Sequence, residues 1–235
     1  DQPMSSIDTS IVITYNGEIY NYIKLRNYLK TKGYSFKTKT DTEVLIYMYK
    51  RYKEKMLSKL NGIFAFAIYD KKENILFCAR DQLGVKPFYY QYINGVFYFA
   101  SEVKSILCSG LQIDLEKNRV GEYMVFGHVA GEKTLFKNIY KLLPGHYLKV
   151  NNNLEIKKYW SIYDYNKSVN GSDLIGKLNN GIKKQMISDV PIGTMCSGGL
   201  DSSGLTSIVS NLTKKSQLKT FSIGFKDSKY NESHY

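Results

Sequence analysis

Apolar and polar positions along the first 150 residues follow two periods, so both helices and strands are predicted. Ile11-Val12-Ile13-Thr14-Tyr15 is a β-branched run that meets the turn dipeptide Asn16-Gly17, where a strand is expected to stop. From about 21 to 32, Ile23, Leu25, Tyr28 and Leu29 mark one helical face, and Gly33 supplies a stop. A second helix is expected from Asp41-Thr42, either of which can accept a capping hydrogen bond, with Leu45, Met48 and Tyr49 as its apolar face. Strands over 63–69 and 75–79 flank the polar turn 70–74. A hairpin over 88–92 and 96–100 turns at Asn94-Gly95. Two helices flanking several antiparallel strands predict a helix-covered sheet sandwich, and no internal repeat interrupts it.

The texture changes over 151–172, where Asn151-Asn152-Asn153 and the polar stretch from Tyr163 to Ser172 suggest a linker. Beyond it the pattern predicts a helix over 173–187, a strand over 190–196, a Gly/Ser loop, a helix over 202–211 and a strand over 218–224. This is the opening of a parallel α/β layout. The expected domains are therefore 1–152 and 172–235, joined by a linker over 153–171. Asp1-Gln2-Pro3-Met4 shows neither an initiator methionine nor a signal pattern, and reads as an internal stretch.

Composition narrows the class. With 43% hydrophobic residues, 14% aromatic residues and four prolines, the chain has the material for a packed core. No apolar run approaches the roughly 18 residues of a membrane span. The net charge of +12 raises the question of nucleic acid, but only Arg26, Arg51, Arg80 and Arg119 are arginines, and the lysines never run beyond two in a row. A phosphate-gripping face clusters its cations; scattered lysines describe a solvated surface. Cys78, Cys108 and Cys196 are odd in number and form no CxxC, which argues against a disulfide framework or zinc site and for a reducing cytoplasm. Cys78 and Cys108 are expected to be buried.

The strongest chemical signal is Ser197-Gly198-Gly199-Leu200-Asp201-Ser202-Ser203, between an apolar strand and a helix. Glycines let the backbone approach a ligand, successive N–H groups form an anion nest, and the following helix adds its positive end. Three serines add hydroxyl donors. Asp201 would repel phosphate unless a divalent cation lay between them, so it is read as a Mg²⁺ contact. A plain helix cap needs one serine, not seven specified positions. The loop is similar to the pyrophosphate loop of ATP pyrophosphatases, which split ATP into AMP and pyrophosphate. A Walker-like spacing at Gly171 and Gly176-Lys177 is set aside, because Leu178 replaces the Ser/Thr and no strand precedes it.

Other segments carry a wider resemblance. Tyr15 to Asn21, Thr40 to Val44, Asn61 to Asp70, Ala79 to Tyr90 and Ser101 to Lys104 resemble the class II glutaminase domain of the asparagine synthetase family. Leu143 to His146 and Asp189 to Gly193 continue the match in order. The resemblance implies an N-terminal αββα sandwich of the N-terminal nucleophile hydrolase type, followed by the start of a parallel α/β pyrophosphate-loop domain. It also implies an activity. Glutamine hydrolysis yields ammonia, which travels internally and attacks ATP-activated β-aspartyl-AMP to give asparagine. The partners are then small molecules (glutamine, aspartate and ATP), with Mg²⁺.

Carried over residue by residue, Asn16 looks like the side-chain oxyanion donor and Gly17 like its backbone companion, stabilising the tetrahedral intermediate. Glu18 and Asp41 resemble the residues that hold the substrate's α-amino group. Met195, Ile223 and Gly224 occupy positions whose backbone faces adenosine, while Ser197, Gly198, Gly199, Leu200, Asp201, Ser202 and Ser203 form the phosphate loop. Arg80 to Tyr90 is expected to act structurally between domains rather than on substrate. His128, His146 and His234 show no metal-ligand spacing. The family's N-terminal cysteine nucleophile and its aspartate-binding residues are expected outside this segment. Rival readings are an amidotransferase for a sugar or peptide carboxylate, a β-lactam-forming relative and a non-enzymatic nucleotide-binding module.

Overall fold

Alternation along Gly62–Asp70 sorts its side chains onto two cores: Phe64, Phe66 and Ile68 face one, Ala65 and Ala67 the other. The computed structural model describes residues 2–165, 173–188, 190–213 and 218–224. The chain divides into two units, Asp1–Asn166 and Lys167–Tyr235. In the first the order is β1 (Met4–Ser5), β2 (Ile11–Ile19), α1 (Tyr22–Thr31), α2 (Asp41–Tyr52), β3 (Gly62–Asp70), β4 (Ile75–Arg80), β5 (Tyr89–Ile93), β6 (Val96–Ala100), α3 (Val103–Leu107), α4 (Val120–Phe126), β7 (Tyr140–Lys141), β8 (His146–Val150) and β9 (Leu154–Lys158).

A six-stranded antiparallel sheet has the order β1-β2-β3-β4-β8-β9, and a three-stranded one the order β6-β5-β7. On one face of the larger sheet, Ile13, Phe64, Phe66 and Phe77 pack against Leu29, Val44, Leu45 and Met48 of α1 and α2. Each fully buried side chain of this size stabilises by roughly 1.5–3 kcal/mol. The opposite face packs Ala65, Ala67, Cys78 and Leu148 on Phe88, just ahead of β5, and on Tyr90 of the smaller sheet. Tyr89, one residue out of phase with Tyr90, instead lines a cavity with Val103 of α3 and Tyr123 of α4. The layers therefore run helix, sheet, sheet, helix, as expected.

Several boundaries moved for physical reasons. Asn16-Gly17 does not turn the chain: β2 continues through both to Ile19, paired residue for residue with β3. Gly17 is needed there for closeness, since a Cβ on it would lie 2.2 Å from the Ile63 carbonyl oxygen. Gly62 meets the same limit from the other strand, 2.2 Å from the Glu18 carbonyl oxygen. The cap of α2 is Thr40, whose side chain accepts from the Glu43 amide at 3.4 Å, rather than Asp41 or Thr42. The expected linker opens with a strand. Residues 151–153 are the turn of the β8–β9 hairpin, where Asn151 Oδ1 accepts from the Asn153 amide at 3.1 Å. Of the remaining linker, 166–172 lie outside the described residues, as do Asp189 and His234. Cys78 is buried, but Cys108 is exposed at the end of α3.

In the second unit, α5 (Leu174–Gln185) precedes β10 (Gly193–Met195), α6 (Leu200–Leu212) and β11 (Lys219–Phe221). β10 and β11 pair in parallel, so β10-α6-β11 is the predicted crossover with shorter strands than the apolar runs suggested. Among the described residues, no helix is long and apolar enough to cross a membrane.

Candidate functional site

The free edge of β2 is where the first unit concentrates polar chemistry. Strand alternation turns the backbone groups of Ile11, Ile13, Tyr15, Gly17 and Ile19 toward one edge. β1 pairs with that edge only at Val12 and Ile13. Beyond β1, side chains take over the ladder. The Gln2 carboxamide donates to the Tyr15 carbonyl at 2.7 Å and accepts from the Tyr15 amide at 2.6 Å. Two residues past Gly17, Asp41 Oδ2 accepts from the Ile19 amide at 3.0 Å. Between these two clamps lies Gly17, with its N–H on the same edge and no partner for it among the described hydrogen bonds. A backbone donor held in that way is suited to a developing negative charge.

Asn16 and Asp41 stand on opposite faces of β2. Asn16 points toward the smaller sheet, where its Nδ2 donates to Ser101 Oγ at 3.3 Å. It lines a cavity of about 300 Å³ with Thr14, Ala65, Phe99 and Ser101, in which neither Glu18 nor Asp41 takes part. Glu18, in phase with Asn16, is exposed. Asp41, at the first turn of α2, lies on the helix face and accepts the Tyr15 hydroxyl at 2.7 Å on the same Oδ2. Burial pushes the Tyr15 hydroxyl far above its ordinary value, and the adjacent Asp41 carboxylate adds to the shift. The four residues singled out from the sequence thus reach one strand end, with Asn16 on one side and Asp41 on the other.

Two residues behind this edge carry more of the geometry than their sequence context suggests. Asp81, 1% exposed, accepts the amides of Phe64, Leu83, Val85 and Lys86. Glu43, 5% exposed, accepts the amides of Lys37 and Thr38 and the Thr38 hydroxyl, fixing the loop that leads into Asp41. The Thr40-x-x-Glu43 spacing was the one available signal for Glu43. Arg80 donates to the carbonyls of Gly84, Lys86 and Leu142, so this segment is stapled within the first unit.

In the second unit the glycine-serine loop follows β10. The Cys196 amide donates to the Phe221 carbonyl at 2.8 Å, and Ser222 Oγ donates to the Cys196 carbonyl at 2.5 Å, tying the carboxyl ends of the two parallel strands together. Gly198 adopts φ +90°, a left-handed conformation that glycine reaches without strain. Ser202 Oγ accepts from the Ser197 amide at 3.2 Å and lies 3.1 Å from the Gly199 carbonyl, so Ser202 shapes the loop. Gly199 has no side chain with which to cap α6, so among the described residues its first-turn amides have no N-cap side-chain partner. Asp201 is exposed in that turn, and Met195, Ile223 and Gly224 are exposed at or just after the carboxyl ends of β10 and β11. The Gly198 amide, more than any other group, holds the Cys196 thiol below its ordinary value. Among the described residues no three His, Cys, Asp or Glu side chains gather around one point.

Residues 1–160 match the glutamine amidotransferase domain family, and residues 174–235 match the asparagine synthase family. The chain is 39% identical, over 98% of its length, to an asparagine synthetase [glutamine-hydrolyzing] of Bacillus subtilis. It is 40% identical, over 96% of its length, to a putative asparagine synthetase [glutamine-hydrolyzing] of Methanocaldococcus jannaschii. It spans 37% and 45% of those two proteins. A solved glutamine phosphoribosylpyrophosphate amidotransferase from B. subtilis superposes with a TM-score of 0.48 and 18% identity, over 96% of this chain and 49% of that one.

Proposed function

This chain belongs to the glutamine amidotransferase family in its asparagine synthetase branch, and from that premise we propose that it serves a glutamine-dependent asparagine synthetase. In that enzyme the first unit takes part in releasing ammonia from glutamine and the second in binding the ATP that activates aspartate. The observation that carries the glutamine half is the open Gly17 amide, set between Tyr15, paired by Gln2, and Ile19, paired by Asp41. Gly17 and the Asn16 side chain donate to the oxyanion of the tetrahedral intermediate. Asp41 and Glu18 hold the substrate's ammonium group by charge. Each donor acts only as charge develops, which is where it lowers the barrier.

The second unit fits a nucleotide by its donor set: an uncapped helix N-terminus, a left-handed Gly198 and the Ser197 and Ser203 hydroxyls. Gly199, Leu200, Asp201 and Ser202 supply amides for phosphate, with adenosine against Met195, Ile223 and Gly224. ATP supplies the activation of the acceptor carboxylate. Asp201 would hold Mg²⁺, whose positive charge would offset that of the phosphates. Three free cysteines suit a reducing cytoplasm.

The test uses the intact purified protein with aspartate, ATP and either glutamine or ammonium chloride. Asparagine, AMP and pyrophosphate are expected in equal amounts from both nitrogen sources. Pyrophosphate release that does not depend on aspartate would overturn the choice of acceptor.

A further inference from the structure

The Tyr15 hydroxyl is 2.7 Å from Asp41 Oδ2, and the Ile19 amide is 3.0 Å from the same oxygen. Both donors therefore fall on one carboxylate oxygen and fix the plane of the group, while Oδ1 takes neither bond. The tyrosine cannot swing away. Tyr15 is 9% exposed in the core shared with α1 and α2, and its own amide and carbonyl are clamped by the Gln2 carboxamide. A short hydrogen bond from a packed phenol to a carboxylate is a strong and directional one. It costs little ordering when substrate arrives, because packing has already removed the freedom of both partners.

We propose that Tyr15 is the positioning residue of the glutamine-amine site, holding Asp41 so that Oδ1 meets the substrate's ammonium group. The proposal rests on the reading of Asp41 given above. Tyr15 donates its hydroxyl to Asp41, on the face of β2 opposite Asn16, so it acts through Asp41 and its contribution is to binding.

The experiment compares Tyr15→Phe, Asp41→Asn and the double variant in the intact protein, with glutamine and with ammonium chloride as nitrogen source. Tyr15→Phe keeps the ring and removes one hydrogen bond to a charged group, so KM for glutamine is expected to rise about tenfold, with kcat nearly unchanged. Ammonium-dependent synthesis should equal wild type, and Tyr15→Phe should add nothing in the Asp41→Asn background. An unchanged KM in Tyr15→Phe, with a raised KM in Asp41→Asn, would overturn the positioning role alone. An unchanged KM in Asp41→Asn would remove the amine-site reading and this inference with it. Equal losses from both nitrogen sources in Tyr15→Phe would make the residue merely structural and overturn the proposal.

Discussion

Arg80 and Asp81, adjacent in the chain, grip the two ends of a single residue: Arg80 Nε donates to the Lys86 carbonyl at 2.7 Å, and Asp81 Oδ2 accepts the Lys86 amide at 3.0 Å. The guanidinium fork spans two further carbonyls and the carboxylate three further amides. Burial pulls Arg80 below its ordinary value, against the opposing pull of Asp81. The loop has almost no apolar anchor of its own, since Leu83 and Val85 face outward at 70% and 54% exposure. Polar satisfaction substitutes for packing there.

Asp81→Asn keeps the shape but offers one acceptor oxygen in place of two, and turns an NH₂ group toward backbone amides. Buried donors left unpaired cost about 1–3 kcal/mol each. A loss of about 3 kcal/mol in unfolding free energy is expected in urea titration. An unchanged midpoint would mean the loop is held by something else.

Asn16→Ala should cut glutamine-dependent synthesis by about 100- to 1000-fold, the usual consequence of losing one oxyanion donor. Ammonium bypasses that intermediate, so synthesis from ammonium chloride should stay near wild type. The Ser101 contact at 3.3 Å gives a control: Ser101→Ala should change neither rate by more than a few fold. Equal losses from both nitrogen sources in Asn16→Ala would return Asn16 to a structural role.

Gly62→Ala and Gly121→Ala should move stability in opposite directions. A Cβ at Gly62 meets the Glu18 carbonyl oxygen at 2.2 Å and Ile19 Cα at 2.9 Å, so β2 and β3 must part beside Gly17. Overpacking of that kind costs about 1–3 kcal/mol. Gly121, inside α4, has nothing within 4 Å, and alanine there should stabilise by about 0.5–1 kcal/mol. Thermal melts of the two variants read the sign directly.

Asp201→Ala should abolish ATP-dependent synthesis and leave glutamine hydrolysis intact. Its carboxylate stands in the first turn of α6, in the second unit, while Asn16, Gly17 and Asp41 belong to the first. Ammonia release from glutamine and pyrophosphate release from ATP are measured on the same preparation. Parallel loss of both in a folded variant would contradict the division of labour.

What the sequence by itself determined is whatever short-range chemistry decides. The α2 face of Leu45, Met48 and Tyr49, the β3 and β4 strands and the Asn94-Gly95 hairpin are all local matches of side-chain period or turn conformation. The loop from Ser197 to Ser203 is legible for the same reason: its glycines, serines and helix start lie within seven consecutive residues. Tertiary structure alone decided the rest. Asn16-Gly17 favours a turn in isolation, yet β3 lies so close that only a straight, Cβ-free backbone fits against Ile63. Asn151 to Asn153 suggests a linker until Leu148 and Ile156 are paired across it. The partners of Asp41 and Asp81 are backbone amides 17 to 22 residues away at Phe64 and Ile19, along with nearer ones in the loop. A backbone amide is the same group in every residue but proline, so no side-chain pattern advertises which one a buried carboxylate will find.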